Sequence, residues 1–412
     1  MILTPIGGVR LPTRTQPLQK QARLQAKGTR VYLRLPENGE YTLHVSPGDG
    51  VKAGSLLASA SDGVPIYSSV SGVFDGVFSN NGGKYAGVTD DGAAETTEVR
   101  APETRPIEEL SPDDLLEATR VLGITDIKRG EALYRTAKAA FGNVKRIVID
   151  TTDPSGYSFT NAVVSTQSPT DLLGGAKLFA RMLGCAKVIL LVDEDRPQVL
   201  KTLTEAAAGN PLFAVAKTVV CYPMTDEMIY EMLYYRRISY GKTLTDAGVF
   251  MTDAQTAVQF YSAMLTGVPQ TSRWLTAGGE GFGQEAVLQM PLGTPWQNIL
   301  TACKFKGDPY ITMVNSPLNG VPAKGVCEGN AVCVASEIPT APEPMPCNAC
   351  GHCAMVCPVW LQPMKILQKD QKAIEKLAKY CIGCAACEYI CPSELPLAEM
   401  IATAREEGEH NA

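Results

Sequence analysis

Histidine is scarce, with three in 412 residues, so a histidine-ligated metal or a histidine-based acid–base pair has little material. No run of about 18 uninterrupted apolar residues occurs, so the sequence predicts no transmembrane helix. The opening residues Met1-Ile2-Leu3-Thr4-Pro5 lack the charged-then-apolar layout of a signal peptide. Positive charge is not in excess: 37 Lys and Arg face 43 Asp and Glu, a net charge of −6. Nucleic acid therefore has no basic stripe to bind. Aromatic residues make up 7% and hydrophobic residues 45% of the chain, the values of a folded protein rather than a disordered one. No nucleophile–base pair, paired catalytic carboxylates or phosphate loop stands out. These absences leave a cytoplasmic protein, where thiols stay reduced and clustered cysteines serve as ligands more often than as disulfides. A chain of this length is expected to divide into two to four domains.

Cysteine, by contrast, is abundant. Of 13 cysteines, eight fall between Cys347 and Cys391. The first run is Cys347-Asn-Ala-Cys350-Gly-His-Cys353-Ala-Met-Val-Cys357-Pro358, and the second is Cys381-Ile-Gly-Cys384-Ala-Ala-Cys387-Glu-Tyr-Ile-Cys391-Pro392. Each is a full C-x₂-C-x₂-C-x₃-C-P run, the bacterial two-cluster ferredoxin signature, in which the fourth cysteine ligates the other cluster. The spacing thus assigns Cys347, Cys350, Cys353 and Cys391 to one [4Fe–4S] cluster. Cys381, Cys384, Cys387 and Cys357 go to the other, and the pair forms an electron relay. Zinc ribbons use paired C-x₂-C knuckles instead, which weighs against zinc or disulfides here. His352 lies inside the first run as a neighbour that tunes the cluster. Between the runs, Ile366, Leu367, Ala373, Ile374, Leu377 and Ala378 recur at helical spacing, which predicts a helix over the clusters. Cys185, Cys221, Cys303, Cys327 and Cys333 lack ligand spacing and read as small buried residues.

Elsewhere the pattern changes along the chain. Residues 1–100 alternate in short runs broken by Gly, Pro, Asn and Asp, which predicts β structure. Val45-Ser-Pro-Gly-Asp-Gly-Val-Lys-Ala-Gly54 followed by Ile66-Tyr-Ser-Ser-Val-Ser-Gly-Val73 looks like a biotinyl/lipoyl-type barrel-sandwich. Its tip, Ala60-Ser-Asp-Gly63, lacks the lysine of a working carrier, so the unit reads as structural. Ala101-Pro-Glu-Thr-Arg-Pro106 makes a linker. Ser111-Pro112-Asp113-Asp114 opens a helix with an N-cap Ser, Pro at the first position and acids in the first turn. Strands at 144–150, 187–193 and 217–222 and a helix at 171–183 alternate as in a parallel sheet. From 240 to 335 short strands and Gly/Pro turns return. Gly278-Gly-Glu-Gly-Phe-Gly283 reads as a hairpin turn, since Ala286–Pro291 looks like strand rather than the helix a nucleotide loop would open.

Taken together these segments resemble the C subunit of the Rnf ferredoxin:NAD oxidoreductase. Pro65-Ile-Tyr-Ser-Ser-Val-Ser-Gly72, Thr256-Ala-Val258, Leu292-Gly-Thr-Pro295 and Asn315-Ser-Pro-Leu-Asn-Gly320 carry the resemblance, with Tyr67 where the family usually has His. It implies a multidomain α+β and α/β chain in four parts. These are a barrel-sandwich over 1–100, a Rossmann-like parallel sheet over 107–235, an SLBB-like β-grasp over 240–335 and a two-[4Fe–4S] ferredoxin module over 340–412. In that family a glycine-rich segment binds FMN and NADH. The matching stretch here, Val121-Leu-Gly-Ile-Thr-Asp-Ile-Lys-Arg-Gly130, keeps only Gly123 and Gly130, and Asp126 would repel phosphate. The next acidic segment becomes Asp150-Thr-Thr-Asp-Pro-Ser-Gly-Tyr157, with Asp150 and Asp153 in altered positions. The resemblance implies electron exchange between NADH or flavin and ferredoxin. Its partners would be ferredoxin, Rnf-type membrane subunits that hold the chain peripherally at the inner membrane, or a soluble reductase. The missing glycines instead favour a non-catalytic adaptor, of the kind that serves corrinoid or amino-acid reductases. The acidic end, Arg405–His410, reads as a solvated terminus.

Overall fold

The computed structural model describes residues 2–11, 21–23, 29–36, 40–80, 83–156, 158–279, 281–306, 312–314, 318–323, 325–327, 331–334, 343–368, 370 and 378–410. At its centre is an all-parallel five-stranded sheet. Strands Arg146–Asp150, Val188–Asp193 and Phe213–Thr218 lie side by side in chain order. Ile2–Leu3 extends the sheet beyond Phe213–Thr218, and Val249–Asp253 pairs on the opposite side of Arg146–Asp150. Apolar residues fill these strands because both faces are covered. Ile147, Ile149, Val188, Leu190 and Val192 face helices Pro112–Val121, Pro169–Leu183 and Ala254–Thr266. Val148, Leu191, Val249 and Met251 face Ile229 and Met232 of helix Asp226–Tyr234. Continuous burial of this kind is what a parallel sheet under two helical layers requires.

Two sequence expectations shift. The third strand begins at Phe213, not Lys217, and after Thr218 the chain turns out of the register, where the Val219 amide donates to the Leu3 carbonyl. Thr256-Ala-Val258, expected in the β-grasp stretch, lies in helix Ala254–Thr266 against the parallel sheet. The fully buried run Val249–Asp253 is the reason, since its apolar face completes the sheet.

Before the sheet, strands Arg30–Arg34, Gly83–Asp90, Gly72–Asn80 and Gly50–Val51 form one layer. Tyr41–Leu43, Leu56–Ala60 and Pro65–Tyr67 form another, and Val31, Leu57, Phe74 and Val88 are buried in one cluster. Its lysine-free tip is not free: Gly63 accepts from Arg120 Nη1 at 2.7 Å and Asp62 pairs with Arg135 at 2.7 Å. The Tyr67 hydroxyl donates to the Val121 carbonyl at 2.7 Å. A third sheet is built on the antiparallel hairpin Ser272–Ala277 and Ala286–Pro291, covered by helix Trp296–Ala302. The Gly278–Gly283 stretch is the connection of that hairpin, with residue 280 outside the described residues. Gln21–Arg23 pairs with Ala286–Pro291, so the first residues of the chain join two sheets outside the one that follows them. Asn315 to Pro317 are also outside the described residues.

The cysteine-bearing segment carries short helices His352–Met355, Pro363–Leu367 and Ala386–Tyr389, then Leu397–His410. Of the helix expected between the runs, Ala373, Ile374 and Leu377 lie outside the described residues; Ile366 and Ala378 are buried with Leu397 and Ile401.

Helices Pro169–Leu183 and Ala254–Thr266 meet at Gly175, where a Cβ would stand 2.0 Å from the Ala257 carbonyl oxygen. Phe179 and Phe260 fill the same seam with ring centroids 5.4 Å apart. Gly175→Ala should therefore push the helices apart and cost about 1–3 kcal/mol, as overpacking does. A thermal melt tests this: an unchanged midpoint would mean that the seam tolerates the methyl group.

Candidate functional site

The eight clustered cysteines divide four and four around two cavities. Cys347, Cys350, Cys353 and Cys391 line one, of about 330 Å³ including the space at its mouth, with Met364, Leu367 and Leu397 among its apolar walls. Cys357, Cys381, Cys384 and Cys387 line the other, of about 360 Å³, with Val359, Leu361 and Ile401. Each cavity thus takes three sulfurs from one run and the last from the other. The two runs also repeat one backbone. A left-handed residue precedes the second cysteine of each run, at Ala349 and Gly383, and another follows it, at Gly351 and Ala385. A third follows each fourth cysteine, at Trp360 and Glu394. A short helix starts before each third cysteine, His352–Met355 and Ala386–Tyr389.

These turns aim amides at sulfur. Ala349 N–H donates to Cys347 Sγ at 3.4 Å, Gly383 to Cys381 at 3.4 Å and Leu361 to Cys357 at 3.2 Å. Burial pushes the Cys387 thiol up to about 12 and also raises Cys357, where the Leu361, Val359 and Trp360 amides oppose the shift. A cation brought among these sulfurs would offset that desolvation, and ligation requires the thiolate. Among the described residues no three His, Cys, Asp or Glu converge on a single ion position. Sulfurs ringed around a cavity suit a group with several metal corners rather than one ion. His352 is exposed, beside the first ring.

The two rings differ in exposure. Cys347 and Cys350 are exposed, near Met345 (54%) and Met355 (64%). Cys357 and Cys387 are buried, and their ring faces the parallel-sheet unit. Gly8 and Tyr222 of that unit reach it: the Gly8 amide donates to the Val356 carbonyl at 2.8 Å, and Val9 and Tyr222 pack with Ala386. Gly8 is required here, because its φ is +73° and a Cβ would lie 2.6 Å from Cys221 Sγ. Cys185, Cys221, Cys303 and Cys327 are buried, as the sequence indicated.

A second place of interest is the crevice at the carboxyl ends of the parallel strands. Strand order reverses between Arg146–Asp150 and Val249–Asp253, and open α/β sheets bind ligands at such reversals. Asp150 and Asp253 end those strands, and Gly123–Gly130 crosses beside them. The crevice is filled by the chain's own charges. Lys128 Nζ lies 2.5 Å from Asp150 and 2.7 Å from Asp226. Arg129 pairs with Asp126 at 2.8 Å and Asp226 at 2.6 Å, and donates to the Met251 carbonyl at 2.6 Å. Burial alone would raise Asp226, but Lys128 and Arg129 hold its carboxyl below the usual range. Burial pushes Asp126 up and, with the Asp126 charge nearby, Asp253 up to about 6.

A flavin phosphate needs free amides and uncommitted cations, and along Gly123–Gly130 most amides and both cations are committed. Six amides of the segment already donate elsewhere: Gly123 to Arg120 O, Ile124 to Thr119 O, Thr125 to Gln270 Oε1, Ile127 to Thr256 Oγ1, Arg129 to Asp126 Oδ1 and Gly130 to Asp126 O. Asp153 is spent as well, accepting from the Asn161 and Ala162 amides and from Ser158 Oγ. The residues of this segment do not fit the phosphate end of FMN. Sequence reasoning found Gly123, Gly130, Asp150 and Asp153 but missed Lys128, Arg129, Asp226 and Asp253. The Lys128-Arg129 doublet inside an apolar stretch was the available signal.

Asp253 is an acid whose folded pKa is raised, so the folded state binds more protons than the unfolded chain between about pH 4 and 6 and loses stability as pH rises through that window. Asn keeps the cap to Thr256 N–H. Asp253→Asn should therefore gain on wild type by on the order of 1 kcal/mol between pH 5 and 7, and melts of both proteins at several pH values check it. A pH-independent difference would refute the assignment.

Comparison with known proteins agrees with this architecture. The family model described as the Nuo51 FMN-binding domain matches residues 127–262. The C subunit of the Na(+)-translocating ferredoxin:NAD(+) oxidoreductase complex of Acetobacterium woodii is 25% identical over 346 residues, covering 80% of this chain and 78% of that protein. The C subunit of the ion-translocating oxidoreductase complex of Rhodobacter capsulatus is 26% identical over 281 residues, 64% of this chain but 53% of the relative. Its counterpart from Pseudomonas aeruginosa is 26% identical over 292 residues, and there the match spans 37% of the relative. Among solved structures, an NAD+-reducing [NiFe]-hydrogenase in the air-oxidized state shares the fold with a TM-score of 0.50 at 17% identity, over 77% of this chain and 67% of that one. Along most of its length the chain is therefore similar to the C subunits of the Rnf-type ion-translocating oxidoreductase complexes, and its parallel-sheet unit to the Nuo51 FMN-binding domain.

Proposed function

We propose that the chain relays electrons through two [4Fe–4S] clusters, one on Cys347, Cys350, Cys353 and Cys391 and the other on Cys357, Cys381, Cys384 and Cys387. The four-and-four division of the sulfurs, with one thiol exchanged between runs, carries this reading. Such clusters supply one-electron chemistry, with potentials set by hydrogen bonds to sulfur and by solvent exposure. The chain's part is to hold them. Amides of Ala349, Gly383 and Leu361 stabilise charge on the sulfurs. Leu361, Ile366 and Leu397 keep water from the walls. The exposed mouth at Cys347 and Cys350 lets a redox partner approach the first ring. In this reading residues 340–412 are a ferredoxin-type module behind a barrel-sandwich, a Rossmann-like unit and an SLBB-like β-grasp.

The filled crevice favours an adaptor that takes electrons from a protein rather than from its own flavin. Its partners would be ferredoxin, other subunits of an ion-translocating complex, or a soluble reductase. No helix among the described residues is long and apolar enough to cross a membrane, so any place at a membrane would come through partner proteins.

Anaerobic reconstitution followed by EPR should give two [4Fe–4S] signals on dithionite reduction and none with NADH, with or without FMN. Reduction by NADH would overturn the adaptor reading and leave the relay standing. Cys357→Ala should damage the cluster held mainly by the second run; loss of the first-run cluster alone would reverse the ligand sets.

A further inference from the structure

Although the two runs share one backbone, they are held differently. At the first ring the Ser393 carbonyl, two residues past Cys391, accepts from the Met345 amide of the same segment at 2.9 Å. The matching carbonyl at the other ring, Val359, accepts instead from the Tyr240 hydroxyl at 2.7 Å. Tyr240 belongs to the stretch after helix Asp226–Tyr234 and stacks on Tyr380 with centroids 4.1 Å apart. Beside it Arg237 lies 3.3 Å over the ring of Trp360. On the other side of the cavity, Asn319 Nδ2 donates to the Gly383 carbonyl at 2.8 Å, and Asn319 Oδ1 accepts from the Tyr222 hydroxyl at 2.6 Å.

These outside donors act on the turns whose amides face the sulfurs. Val359 lies in the turn from Cys357 to Leu361, where the Trp360 amide donates to the Cys357 carbonyl at 3.2 Å and the Leu361 amide to Cys357 Sγ at 3.2 Å. Gly383, whose carbonyl Asn319 holds, donates its own amide to Cys381 Sγ at 3.4 Å. A hydrogen bond to a carbonyl of such a turn fixes the orientation of the turn's amides that reach the sulfurs, and bonds in one network strengthen each other. Amide bonds to sulfur favour the more negative, reduced form and so raise the potential.

We propose that Tyr240 and Asn319 are positioning residues that set the potential of the cluster on Cys357, Cys381, Cys384 and Cys387 separately from the other. This rests on the cluster assignment above. The control sits outside the cysteine-bearing segment, in the parallel-sheet unit and the loop at Asn319, so the two centres can differ although their loops match.

EPR-monitored redox titration of the reconstituted full chain tests it. Tyr240→Phe keeps the stack on Tyr380 and removes only the hydroxyl; Asn319→Ala alters an exposed side chain and reads the same effect if the first variant folds poorly. The cluster retained by Cys357→Ala identifies which midpoint is which. Each variant should move the second-run midpoint to a more negative value and the double variant further, with the first-run midpoint and the iron content unchanged. Unmoved midpoints, equal shifts of both, or loss of iron would overturn the positioning role. Wild type that yields no pair of [4Fe–4S] signals would defeat the cluster assignment itself, a failure visible before any variant is compared.

Discussion

Each sulfur ring takes its fourth member from the other run, and the arrangement of the C-terminal segment depends on that exchange. Neither loop can close its ring alone. The stretch between Cys357 and Cys381 must therefore return the chain to the first loop's side, and Leu361, Ile366, Ala378, Leu397 and Ile401 pack where the two halves cross. Repeated left-handed residues follow from the same constraint, because consecutive sulfurs two residues apart reach one cavity only if the backbone curls between them. Ala349 and Ala385 adopt that conformation without glycine, at a cost of about 1–2 kcal/mol each. Such strain persists where the surroundings over-determine it.

The four-and-four grouping of the cysteines was legible because their spacing in the sequence is short and regular. The alternation of strands and helices was legible too, since both faces of the parallel sheet are buried and its strands read as apolar runs. What escaped was what depends on distant residues. Lys128 meets Asp150 and Asp226 only after the sheet is wound. Tyr240 reaches Val359 only after the cysteine loops have docked. Strand Val249–Asp253 was hidden by its neighbours, as turn-rich flanks suggested β structure of another kind.

The parallel-sheet unit keeps the topology of a nucleotide-binding fold while its crevice is closed from within. Two cations against Asp126, Asp150, Asp226 and Asp253 leave surplus negative charge in a buried space, and burial with the Asp126 charge raises Asp253 to about 6, so it takes up a proton more readily than a free carboxyl. An anionic ligand would have to displace that network and break committed amides. Fold and function separate here: the sheet serves as a platform that grips the second ring, through Gly8 on one side and Tyr240 on another.

The earliest residues are also the last to be secured. Ile2 pairs with Lys217, Gln21 with Val287, and Gly8 bonds Val356. During synthesis the sheet can therefore form its inner strands first, while its Ile2–Leu3 edge waits for the strand at Phe213–Thr218 and Gly8 and Val9 wait for the cysteine loops. Closure of such distant pairs is slow, and an open strand edge in the meantime invites pairing with other chains. The opening residues thus work as a late fastener, joining sheet, hairpin and cysteine-bearing segment only once Phe213–Thr218, Ala286–Pro291 and Val356 are in place.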